Sequence, residues 1–147
     1  MNNFPEYIFR SMMESLATSL STFELYFDGM LPDAENPQEG LEIRFDGPRQ
    51  WEESKGYWKY WVEINVLVYH NIGTNILRKH DICGSVVTAL KGPFAISDGS
   101  NTVGCMAVNM EKREGIRVNH FGGPIRKDVN LEQSTVVANY TMYYKET

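Results

Sequence analysis

From Trp58 to Tyr69 one alternate set of residues reads Trp58, Tyr60, Val62, Ile64, Val66 and Val68, and the other mixes Lys59, Trp61, Glu63, Asn65, Leu67 and Tyr69. A period of two sustained over so long a run marks an extended strand with one face in a core, because successive side chains leave a pleated backbone on opposite sides. Such a strand cannot stay dry alone and needs neighbours on its edges and a cover on its apolar face. Leu41, Ile43 and Phe45 alternate with Glu42, Arg44 and Asp46 and supply one neighbour, which Gly47-Pro48 interrupts or bends. Between the two, Pro48 to Gly56 holds Trp51 among Arg49, Glu52, Glu53 and Lys55 and reads as the tip of a long hairpin. A final run over Val129 to Tyr144 places Val136, Ala138, Tyr140, Met142 and Tyr144 on one face and Thr135, Val137, Asn139, Thr141 and Tyr143 on the other.

Two segments have the helical period instead. Asn3 can cap a helix with Pro5 in its first turn and Glu6 three positions on, and Ile8, Met12, Leu16 and Leu20 follow at spacing four. Thr74 or Asn75 can cap a second helix, about Asn75 to Lys91, with a stripe of Ile76, Leu77, His80, Cys83, Val87 and Leu90 ended by Gly92-Pro93. Phe94 to Ser97, Val103 to Met110 and Ile116 to Phe121 read as strands with turns between them, and the polar segment Asp28 to Gly40 reads as a surface loop. There is no strand–helix alternation of the kind that builds a doubly wound parallel sheet. The expectation is a single α+β domain over residues 1–147: an antiparallel sheet of five to six strands with the N-terminal and central helices packed on one face.

The chain has 147 residues, enough to bury roughly 70% of its unfolded surface without metals or disulfides. Nineteen acids against fourteen Lys and Arg give a formal charge of −5, with no basic stripe of the kind duplex phosphates require. Tight or sequence-specific nucleic-acid binding is not expected. Cys83 and Cys105 are the only cysteines and form no Cys-x-x-Cys pair; both read as small apolar residues. No apolar run approaches the ~20 residues needed to span a bilayer, and no secretory leader is legible, so the chain reads as cytosolic when made.

Catalysis by a nucleophile and a base would draw on His70, His80 or His120, and none lies in a known spacing. His80 falls on the apolar stripe of the second helix and reads as a packing residue, while His70, at the end of a strand, and His120 read as surface or turn positions. The acids Asp28, Asp33, Glu35 and Glu39 lack the ligand pattern of a calcium loop, and Gly122-Gly123-Pro124 has neither the Lys-Ser/Thr nor the helix of a phosphate loop. No catalytic, metal or cofactor site is expected. The outward faces of the strongest strands, however, keep Trp61, Leu67, Tyr69, Val137 and Tyr143, more apolar surface than a monomer usually leaves wet. With Trp51 these residues are candidates for a subunit or partner interface, against the alternative that the tryptophans pack beneath a long loop. A second alternative is a ligand-binding or enzymatic domain whose pocket is lined by Trp58, Tyr60, Tyr140 and Met142, with His120 at its polar end.

The order of elements resembles the tail-terminator and head-to-tail joining proteins of long-tailed bacteriophages. The resemblance covers most of the chain and rests on the N-terminal helix, the hairpin ending in Trp58-Lys59-Tyr60-Trp61-Val62-Glu63-Ile64-Asn65-Val66-Leu67-Val68, the central helix, and the final strand Val136 to Tyr144. It implies a non-enzymatic virion protein, made in the host cytoplasm, whose copies form a ring, commonly a hexamer, at the neck or tail end. Its implied partners are itself, the tail tube protein and the head connector.

Overall fold

The computed structural model describes residues 3–27, 39–71, 77–108, 115–121 and 131–145. The first helix, α1 (Phe4–Ser19), starts where expected: Asn3 Oδ1 accepts from the Glu6 backbone N–H at 3.4 Å, and Asn3 Nδ2 donates to Glu6 Oε2 at 2.7 Å. Side chain and backbone thus close the otherwise orphaned first turn. Phe4, Ile8, Met12 and Leu16 are buried at the spacing of four that keeps one stripe inward.

The strands follow as β1 (Leu25–Phe27), β2 (Gly40–Ser54), β3 (Tyr57–Asn71), β4 (Phe94–Ser97), β5 (Thr102–Val108), β6 (Ile116–Phe121) and β7 (Leu131–Lys145), with α2 (Arg78–Leu90) between β3 and β4. Their order is β1-β2-β3-β7-β5-β4, with β6 also paired to β7. Among the described residues the sheet therefore has seven strands and is mixed, correcting the expected antiparallel sheet of five to six. β1 runs parallel to β2, setting Leu25 opposite Leu41 and Phe27 opposite Ile43. Three residues are too few to display alternation, so this strand left no period in the sequence. β5 and β6 share one edge of β7: Ala107 and Val108 pair with Thr141 and Tyr140, and Ile116 to Phe121 pair with Ala138 to Gln133.

One face of the sheet, the inner, carries Val62, Ile64, Val66 and Val68 from β3 and Val136, Ala138, Tyr140 and Met142 from β7. Both helices bury their stripes in this same cluster. The packing differs in detail from the expected pair of helices on one face. α1 packs mainly against β4, with a smaller contact to β2, and α2 spans β3 and β7. Ser11 Oγ on α1 accepts from the Ser97 backbone N–H at 2.9 Å and fastens α1 to β4. Tyr140, fully buried, donates its hydroxyl to the Leu90 carbonyl and ties the end of α2 to the sheet centre. Burial pushes its phenol far above the usual range.

The second helix begins later than expected. Leu77 is its N-cap, makes no side-chain capping bond and is 59% exposed; Thr74, Asn75 and Ile76 lie outside the described residues. The buried stripe is Ile82, Cys83, Val86 and Leu90, whereas His80 is exposed and is not a core residue. Gly92, at φ 58°, supplies the expected left-handed stop. Cys105 is exposed, unlike Cys83. The glycines and proline at 122–124, the charged turn at 111–114 and most of the loop at 28–40 lie outside the described residues. Among the described residues no helix is long and apolar enough to cross a membrane.

Candidate interaction surface

β2 and β3 pair along nearly their whole lengths, and β7 pairs with β3 over all fifteen residues from Tyr57 to Asn71, so the three form a long ribbon. Pairing of β2 with β3 is regular from Gly40 to Asp46. There Asp46 faces Glu63 and the next pair is Arg49 with Trp61, so Gly47 and Pro48 together oppose Val62 alone. Such a bulge absorbs one extra residue and exchanges odd for even along the strand. Below it Leu41, Ile43 and Phe45 point to the core; beyond it Arg49 and Trp51 point to the outer face. Gly47 has φ 103°, and a Cβ there would lie 2.9 Å from the Trp61 carbonyl oxygen, so glycine is needed at this point.

The result is an outer surface of interleaved rings and cations. Trp51, Lys59 and Tyr143 occupy one row across β2, β3 and β7. Lys59 Nζ lies 5.3 Å from the centroid of each flanking ring. In the next row the Arg49 guanidinium lies 5.0 Å over Trp61, and at the tip Lys145 Nζ lies 5.5 Å over Tyr57. A cation over a ring face is attracted by the ring quadrupole, and several such contacts in register stiffen a surface that a solvated strand end would lack. Asp46 pairs with Arg49 at 3.2 Å and Glu53 with Lys59 at 3.8 Å, so the patch carries little net charge. Trp51, Tyr57 and Tyr143 are 42%, 47% and 58% exposed, and Trp61 is half-buried.

The other three interface candidates are placed differently. Leu67, Tyr69 and Val137 are buried within the chain, and Leu67 and Tyr69 form a small second cluster with Leu131 on the outer face. They are not free apolar surface. Beside them Glu42, 1% exposed, accepts from the Tyr69 hydroxyl at 3.1 Å and from Arg44 Nε at 2.7 Å. Burial, and then the Glu42 charge, push the Tyr69 phenol up to about 12. The raised value means the fold favours the protonated phenol, so this contribution to stability is complete below pH ~10 and is lost as pH rises from there through about 12. Tyr69→Phe removes a donor from a buried carboxylate and is expected to cost about 1–2 kcal/mol in urea unfolding near neutral pH. The same variant loses the part of the alkaline slope that wild type shows over that window.

The alternative pocket is filled. Tyr60, Tyr140 and Met142 are buried in the core, Phe4 stacks on Tyr60 with centroids 5.3 Å apart, and Phe94 meets Tyr140 edge-on at 5.3 Å. An open trough of about 960 Å³ lies elsewhere, between α1 and α2, lined by Ser15, Ser19, Gly84, Ser85 and Thr88 among others. His120 is on the inner face of β6, where its Nδ1 is 2.8 Å from Ser134 Oγ, not at the end of an aromatic pocket. Sequence spacing also missed a convergence of all three histidines near the start of α2. His80 and His120 meet edge-on at 4.9 Å, and His70, buried and not at the surface, faces Glu132 two positions along β7 from the His120–Ser134 contact. Among the described residues no group of three or more His, Cys, Asp or Glu is arranged to hold a metal ion.

No family model and no curated protein matches the chain. Among the 19 solved chains that match, one whose name describes no activity aligns over 93% of this chain and 94% of its own, at 11% identity and a TM-score of 0.58. At that identity the likeness is one of fold alone, over almost the whole of both chains.

Proposed function

We propose that the chain is a non-enzymatic structural protein that assembles with copies of itself into a closed ring of six at the neck or tail end of a tailed phage particle. In that role the ring ends the tail tube and joins it to the head connector. The observation that carries the assembly reading is the outer row Trp51–Lys59–Tyr143 with Arg49 over Trp61 beside it. Large rings already ordered by cations lose little freedom on contact, which is the character of residues that dominate subunit interfaces. A ring joins unlike patches on successive subunits, and this row serves as one of the two it needs. The resemblance in element order supports the phage setting. A ligand-binding domain has less support, since the side chains named for its pocket fill the core.

Native mass spectrometry and sedimentation over a range of concentrations test the proposal. The expected result is a six-subunit species that Trp51→Ala and Trp61→Ala each weaken roughly tenfold, with the folded monomer retained. A wild-type chain that stays monomeric at every concentration contradicts self-assembly, and a hexamer indifferent to both substitutions contradicts the assigned surface. Binding of the hexamer to purified tail tubes tests the phage role separately.

A further inference from the structure

The three histidines come from β3, α2 and β6 and gather around Glu132 and Ser134 of β7. His70 is 3% exposed, and its Nε2 is buried with no hydrogen-bond partner among the described residues. Glu132 Oε2 is 3.9 Å from that nitrogen and also 3.8 Å from Lys79 Nζ on α2, so the carboxylate that pairs with His70 is shared with the Lys79 ammonium. On the other side of the same turn, Arg78 is held by Glu39 Oε1 at 2.6 Å, and Glu39 Oε2 accepts from the Asn71 backbone N–H at 3.3 Å. His120 Nδ1 meets Ser134 Oγ at 2.8 Å, Ser134 also bonds the buried Cys83 thiol of α2, and His80 of α2 abuts the His120 ring. The groups facing this junction are thus His70 from β3, Glu132 from β7, Arg78, Lys79, His80 and Cys83 from α2, His120 from β6, and Glu39 ahead of β2. Asp81, also on α2, is exposed.

We propose that this junction is an acid-released latch: protonation of His70 and His120 drives the first two turns of α2 away from the β3–β7–β6 end of the sheet. The neutral imidazoles pack there without charge. Once protonated, His70 must compete with Lys79 for Glu132, and His120 gains a charge beside His80 and Lys79, so positive groups on the helix face positive groups on the strands. Burial already holds both imidazoles below the ordinary 6.5; at His120 the charges of His80 and Lys79 add to it, while at His70 Lys79 and His120 act with burial against Glu132 and Glu39. Because the folded values are lowered, the contribution of the neutral rings is complete above pH ~6.5 and is lost as pH falls below it. The inference stands on the junction alone and does not depend on ring assembly.

Hydrogen exchange on the full-length protein, corrected for the intrinsic pH dependence of exchange, provides the test. From pH ~7.5 to pH ~5, protection over Arg78 to Ser85 is expected to fall by roughly tenfold or more relative to that of α1. His70→Leu and His120→Gln should each reduce that loss, the glutamine preserving a hydrogen bond to Ser134. Should the buried His70 change prevent folding, Lys79→Met supplies the second measure: with the competing cation gone, the pH at which protection is lost moves down. Equal protection at both pH values, or an acid loss that His120→Gln and Lys79→Met leave untouched, overturns the latch.

Discussion

Leu16→Ala is expected to lower the unfolding free energy by about 3 kcal/mol, with a fall of about 10 °C in the thermal midpoint. Leu16 has no solvent exposure and belongs to the stripe that α1 buries in the core beneath the sheet and β4. Truncation removes the transfer energy of the lost methyl groups and leaves a void that the surrounding strands close only in part. Leu77→Ala is the matched control. The periodic pattern put Leu77 on a buried stripe, yet it caps α2 at 59% exposure, and its truncation should change stability by less than about 0.5 kcal/mol. Urea unfolding of the two variants decides the matter: similar losses would mean that the helices do not dock as described.

The contrast between these leucines shows what a sequence can reveal. α1 was legible because its cap, its proline and its spacing of four are all local signals, and they agree. The long strands β3 and β7 were legible for the same reason, since alternation over many residues survives a few exceptions. The start of α2 was not, because an apolar residue at the right spacing carries no mark saying whether anything lies opposite it. Nor was the parallel β1, whose partner is fixed by the path of the chain across the sheet edge and not by its three residues.

Much of the candidate surface was likewise set by register. Leu67, Tyr69 and Val137 occupy outward positions of a sheet whose face is buried around them, and burial of that kind depends on what the chain folds over it. The histidine junction joins residues fifty positions apart through the pairing of β3 and β6 with β7, so no spacing within one element announces it. Trp51 is the instructive case. Parity counted straight through β2 puts it on the side of Leu41, Ile43 and Phe45. One extra residue at Gly47-Pro48 turns it outward to join Lys59 and Tyr143.

That turn gives the last prediction. Gly47→Ala should cost about 2–3 kcal/mol, because an L side chain is strained at φ 103° and its Cβ would press on the Trp61 carbonyl, a backbone atom with little room to yield. The chain can relieve the strain by losing the bulge, and the remedy can be supplied directly. Deleting Pro48 from the Gly47→Ala variant leaves one residue opposite Val62, restores an unbroken ladder, and keeps Arg49 opposite Trp61 and Trp51 opposite Lys59. Position 47 then becomes an ordinary strand residue, where alanine is acceptable. The double variant is therefore expected to recover most of the lost stability, while tryptophan fluorescence stays close to wild type because both rings keep their cations. Recovery of stability with a changed tryptophan environment would show that the bulge aims Trp51 in a way the ladder cannot. Failure to recover would mean that the ribbon needs the bend itself, and that the outer aromatic row is held by curvature as well as by pairing.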